Sequence, residues 1–286
     1  MMPATLEINL SPSLPMSFHP ALYLSPLVLG LLAAQAWAAP DEYARRIDLE
    51  AADSVLLHVE HKDCPGAVKV LNKGIAAKHP SVFLIAGSMF EQGLCVKPDW
   101  DKAALYYQLA HEGGKREALP RLISGYAEKN RDPGSALWWM AKHTALPAPC
   151  RSASHLANDP DAFVAALNKW PKGQVAACVY TAGVLMRVTG DVEFPGRGDM
   201  HGVFGDAHMH FVPSTGTITW TAEGTGRLDM TREVQVGKDE RSVFSDTFLT
   251  HVRVVGERAL KQFDRPEGID RAWAVDTKFS FRTYYE

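Results

Sequence analysis

Between Ser81 and Gly114, apolar and small side chains recur at intervals of three and four: Ala86, Phe90, Ala103, Tyr106, Tyr107 and Ala110. That spacing places them on helix faces that bury against a neighbour. Gly93 interrupts the pattern and can end the first helix in a left-handed conformation. Asp99 and Asp101 stand where carboxylates cap a second helix and favour its positive end. The stretch predicts a helical hairpin. A second copy follows from Arg116 to His143, in which Tyr126 answers Phe90 and Trp139 answers Tyr106, while Gly93 and Cys95 have no counterparts. There Asp132-Pro133 supplies a cap and a proline at a first helical position. Pro65 to Lys78 adds a degenerate half-repeat with Ala67, Val70 and Leu71 inward. Paired helices at a period in the mid-thirties predict an α-solenoid.

Pro147-Ala148-Pro149 breaks this periodicity. Asp159 to Trp170 predicts one short helix, capped by Asp159-Pro160. Beyond Cys178 the pattern changes to short runs rich in β-branched and aromatic residues. Strands are expected at Tyr180–Val188, Phe204–Val212, Thr217–Glu223 and Arg227–Val236, with Pro213-Ser214-Thr215-Gly216 as a hairpin turn. Asp246 to Phe263 carries Phe248, Val252, Val255, Ala259 and Phe263 on one helical face. Val275, Phe279 and Phe281 then alternate with polar residues as a half-buried last strand. The expected fold class is α+β, an all-α helical-repeat solenoid followed by an antiparallel sheet with one long helix. The expected parts are a solenoid at 39–146, a linker with a short helix at 147–178 and the α+β domain at 179–286.

The run Ala86-Gly87-x-x-Phe90-x-x-Gly93-x-x-Val96-x-x-Asp99-x-x-Lys102-Ala103-x-x-Tyr106-Tyr107-x-x-Ala110-x-x-Gly113 resembles the Sel-one-like repeat, a relative of the tetratricopeptide repeat. The resemblance covers 53–143 and implies a scaffold that binds other proteins, with no catalytic residues to carry over. Bacterial members of that family include antagonists of toxins delivered to the periplasm, which implies an immunity-type or adaptor role. Partner-binding candidates are Tyr106, Tyr107, Trp138 and Trp139, since exposed aromatics anchor protein contacts. Trp138 and Trp139 diverge by about 100° on a helix, so one is expected in the core and the other outside. The last forty or so residues are similar to the carboxyl-terminal domain of TonB-type energy transducers, which implies an envelope interaction domain whose sheet edge can pair with another chain.

Composition narrows the function classes. The chain has 286 residues, 46% hydrophobic and 22% charged, with a net charge of -3. A polyanion-binding surface is disfavoured by that balance, so no nucleic-acid partner is expected. Ala21 to Ala38 is apolar and ends in Ala36-Trp37-Ala38, a small-x-small tripeptide, although Lys and Arg are absent before Arg45. A cleaved signal peptide is expected at 1–38, with Met16 as an alternative start, and therefore a periplasmic or secreted chain without a stable membrane anchor. In that oxidising setting Cys64, Cys95, Cys150 and Cys178 form disulfides, the favoured pairing being Cys64 with Cys95 and Cys150 with Cys178; four buried thiols are the alternative. His208 and His210 share a strand face and, with His201 or Asp206, are the metal-ligand candidates. Ser88 lacks the G-x-S-x-G elbow, and the loop of Gly196, Gly198, Gly202 and Gly205 lacks the lysine and helix of a phosphate cradle. The expectation is a non-catalytic periplasmic protein-binding scaffold that needs no cofactor. Its alternatives are a metal-dependent hydrolase built on His208 and His210, and a TonB-like envelope interaction protein.

Overall fold

The computed structural model describes residues 39–192, 203–229, 232–235 and 238–281. The expected signal peptide at 1–38, His201, Gly196, Gly198 and Gly202 lie outside them. A block of packed helices leads to a small antiparallel sheet and a further long helix, as the α+β expectation had it. The chain divides into two compact units between Lys115 and Arg116, within the stretch that the sequence assigns to one solenoid.

The first unit holds α1 (Ala39–Glu60), α2 (Cys64–Ala76), α3 (Pro80–Gln92) and α4 (Trp100–Glu112). Local chemistry sets their ends. Asp63 caps α2 by accepting from the Gly66 N–H at 3.0 Å, and Asp99 caps α4 by accepting from the Lys102 N–H at 3.1 Å. Gly93 closes α3 at φ 71°, the left-handed value that a side chain disfavours. His79, the residue before α3, makes no side-chain cap; instead Asp48 of α1 accepts from the Ser81 N–H at 2.8 Å and the Ser81 hydroxyl at 2.6 Å. Val55, Ala67, Leu71, Val82, Ala86 and Met89 fill the core between these helices. Cys64 and Cys95 are bonded, which ties the start of α2 to the α3–α4 loop.

The second unit begins with α5 (Ala118–Tyr126) and α6 (Pro133–His143), then a 3₁₀ helix (Ala148–Leu156), α7 (Pro160–Leu167) and α8 (Lys172–Asp191). Asp132 and Asp159 cap α6 and α7, each followed by proline. The expected strand at Tyr180–Val188 is corrected: these residues are the second half of α8. An apolar run of that length fits a buried strand or a buried helix equally well. Here α5, α6 and the long final helix surround it, and every residue from Tyr180 to Met186 is buried. The Cys150–Cys178 disulfide fixes α8 to the 3₁₀ helix. Both bonds match the favoured pairing.

The sheet has β1 (Val203–Val212), β2 (Thr217–Asp229), β3 (Arg232–Gln235) and β4 (Val275–Phe281), in the order β3-β2-β1-β4. Between β3 and β4 runs α9 (Lys238–Gln262). The run expected as one strand from Arg227 to Val236 is instead the end of β2 and the separate β3. The β1–β2 turn is the expected one, with Gly216 at φ 66° donating its N–H to the Val212 carbonyl at 3.0 Å. Phe248, Val252, Val255 and Ala259 of α9, with Phe263 just beyond it, are buried as their spacing predicts. They meet the inward side of the sheet, where Ala207, Met209, Phe211, Val275 and Phe281 are buried. One core therefore joins α5–α8, the sheet and α9.

Candidate binding cleft

A cleft of about 530 Å³ opens in the second unit. Its walls come from three segments: the α5–α6 connection, the α7–α8 connection with one stripe of α8, and the end of α9. The stripe consists of Lys172, Val175, Ala176, Val179 and Tyr180, spaced as one helix face demands. Leu167, Trp170, Phe263 and Pro266 complete an apolar lining. Close approach of α9 is possible because residue 183 is glycine: a Cβ there would lie 2.6 Å from the Phe263 ring.

Charges flank this floor in satisfied pairs. Arg131 bonds Glu128 at 2.7 Å, and Lys129 bonds Asp264 at 2.9 Å. The Asp264 carboxylate beside Lys129 raises the lysine's pKa, so it is cationic through the neutral range. Lys172, the first residue of α8, makes no ion pair among the described residues, and α8 has no side-chain cap. Tyr180 is only 4% exposed, and its hydroxyl has no hydrogen-bond partner among the described residues. Burial pushes its pKa up, against the pull of the nearby Arg265 charge, so the phenol is neutral and able to donate. No Ser, Thr, Cys or His lines the cleft. Its two carboxylates are both tied to cations.

The residues singled out from sequence lie elsewhere. Tyr107 is fully buried and donates its hydroxyl to Glu91 and, at 3.2 Å, to Ser88, so it offers no surface to a partner. Half-buried Tyr106 stacks between Phe83 and Phe90. Trp138 and Trp139 are both half-buried rather than one in and one out. Their rings meet edge to face at 5.0 Å, and the Trp138 indole N–H donates to the Ala157 carbonyl at 3.0 Å. The turn after the 3₁₀ helix covers what would otherwise be an exposed ring. Lys142 stands 4.7 Å from the Trp138 ring, as a cation over an aromatic face.

His208 and His210 do share the solvent side of β1. Lys278 is opposite His208 in the register, and its charge opposes a cation there. His210 bonds Asp276 at 2.8 Å, and Asp206 is half-buried on the same strand. No group of three potential ligands able to hold a metal ion occurs among the described residues. Likewise, none of their helices is long and apolar enough to cross a membrane.

The cleft was not legible from sequence. Lys172, Val175, Ala176, Val179 and Tyr180 form a visible stripe only when α8 is read as a helix, and a strand beginning at Tyr180 cuts that stripe in two. Comparisons with protein-family models, with curated proteins and with solved structures find no match for this chain.

Proposed function

We propose that this protein is an exported, non-catalytic module that binds another protein through its second unit. The observation that carries the reading is the lining of the cleft: an apolar floor and unpartnered polar groups, without a nucleophile and base in reach of each other. Such a surface can hold a ligand but has no group placed to attack it. Two disulfides among the described residues support an oxidising compartment. An immunity-type role, as the Sel-one-like resemblance implies, needs no more than this stable scaffold and its surface. A second reading, as a TonB-like envelope interaction domain, draws on β4, which among the described residues is an edge strand paired with β1 alone.

The test is capture from periplasmic extract with the full chain and with two variants. Ala176→Trp fills the cleft from an exposed helix position, whereas Trp139→Ala removes the other aromatic surface. A partner retained by the wild type is expected to be lost with Ala176→Trp, by about 2 kcal/mol or more in measured affinity. Identical proteins captured by all three chains would mean non-specific adhesion and would overturn the proposal.

A further inference from the structure

We propose that the Cys64–Cys95 disulfide is a site of thiol–disulfide exchange, opened in the folded protein by a dithiol reductant while Cys150–Cys178 stays closed. All four cysteines are bonded, so the two bonds can be compared directly. Cys150 and Cys178 are both fully buried, where the 3₁₀ helix meets α8. A reductant reaches that bond only after the two helices part. Cys64 and Cys95 are each half-buried, and their bond joins the first residue of α2 to the α3–α4 loop. Access is the first difference between the bonds.

The chemistry of its two ends sets the direction of attack. Cys64 opens α2, where the helix dipole favours a thiolate, so its sulfur is the better leaving group. The carboxylate of neighbouring Asp63 is engaged by the Gly66 N–H at 3.0 Å and by His58 at 2.8 Å. Cys95 has φ 58°, a left-handed conformation that a residue with a Cβ disfavours. It lies inside the loop, beyond Gly93, which already closes α3. Opening the bond lets that backbone relax, which favours the open form. The loop does not need the bond to keep its path. Its Leu94 N–H donates to the Met89 carbonyl at 2.9 Å, and the Asp99 N–H donates to the Phe90 carbonyl at 2.9 Å. The first unit can therefore stay folded with the bond open.

In the exchange, a reductant thiolate attacks Sγ of Cys95, the S–S bond breaks, and Cys64 leaves as a thiolate that takes a proton from water. The reductant's second thiolate attacks the mixed disulfide and releases Cys95. Two electrons pass from the dithiol to the Cys64–Cys95 pair, and the dithiol departs as a disulfide. An oxidoreductase carrying a C-x-x-C pair is the class of partner that supplies such a dithiol.

The test treats the full chain with graded dithiothreitol in the absence of denaturant, caps free thiols with N-ethylmaleimide and maps the labelled peptides by mass. Cys64 and Cys95 are expected to label at least about tenfold faster than Cys150 and Cys178. A C-x-x-C oxidoreductase whose second cysteine is changed to serine is expected to be trapped on Cys95. Circular dichroism on the same samples is expected to keep its helical signal as the first bond opens. Both bonds opening at one rate, Cys150–Cys178 opening first, or neither opening short of denaturant overturns the proposal. Trapping on Cys64, or on neither cysteine, overturns the direction of attack. Loss of helix as the first bond opens would make Cys64–Cys95 a structural staple and overturn the exchange role.

Discussion

Two residues of the first unit show how single side chains hold helices in place. Asp48 is buried in α1 and accepts hydrogen bonds from Ser81, with the Lys115 ammonium 2.9 Å away. Burial alone pushes its carboxyl up, but the Ser81 and Lys115 hydrogen bonds and the Lys115 charge outweigh this, so it titrates below the usual carboxylate range. A folded-state pKa below the unfolded one gives stability that is complete above the unfolded value, near 3.8. It is lost as pH falls through the folded value. Urea titrations between pH 5 and pH 2 are therefore expected to show a steep loss of stability, and Asp48→Asn should flatten it; a parallel slope in the variant would refute the assignment. Gly87 works by absence. A Cβ at that position would stand 2.5 Å from the ring of fully buried Tyr107, which its hydrogen bonds hold in place. Gly87→Ala should therefore cost about 1–3 kcal/mol by overpacking, measured as a lower denaturation midpoint.

At the scale of elements, α8 depends on its neighbours. Its Cys178 is fully buried and bonded to Cys150, 28 residues earlier, in the 3₁₀ helix. A loop of that length, when closed, removes about 3–4 kcal/mol of unfolded-chain entropy. The double variant Cys150→Ala, Cys178→Ala should lower stability by about that amount and loosen the start of α8 on which the cleft is built. Hydrogen exchange along 172–180 would report it. Unchanged exchange there would mean that packing against α5 and α9 holds α8 without the bond. The caps belong to the same scale and were visible in advance. Asp99, Asp132 and Asp159 are followed by helix starts because a short carboxylate satisfies N–H groups within three residues of itself. The alternation in β4 and the periodicity of α9 were visible for a similar reason. Each buries only one face, and a one-sided element writes its period into the sequence.

Across the whole molecule, binding chemistry and metal chemistry part company. His208 and His210 lie on an open sheet face with Lys278 beside one and Asp276 bonded to the other. Equilibrium dialysis with zinc is accordingly expected to leave less than one ion per chain, with no effect of chelator on partner capture; stoichiometric zinc would restore the hydrolase alternative. What the sequence alone determined was the local grammar: helix ends at Gly93 and Asp99, the turn at Gly216, the inward faces of α9 and β4, and the class to which they add up. Those features depend on atoms only a few residues apart. Tertiary structure decided the rest. Tyr180 to Val188 is helix in the structure and could not be told from strand in the sequence, because burial on nearly every side removes the periodic signal that distinguishes the two. The cleft joins Lys129, Lys172, Tyr180 and Asp264 from three separate segments. No spacing in the chain encodes such a meeting, because it follows from how buried faces pack after each element has formed.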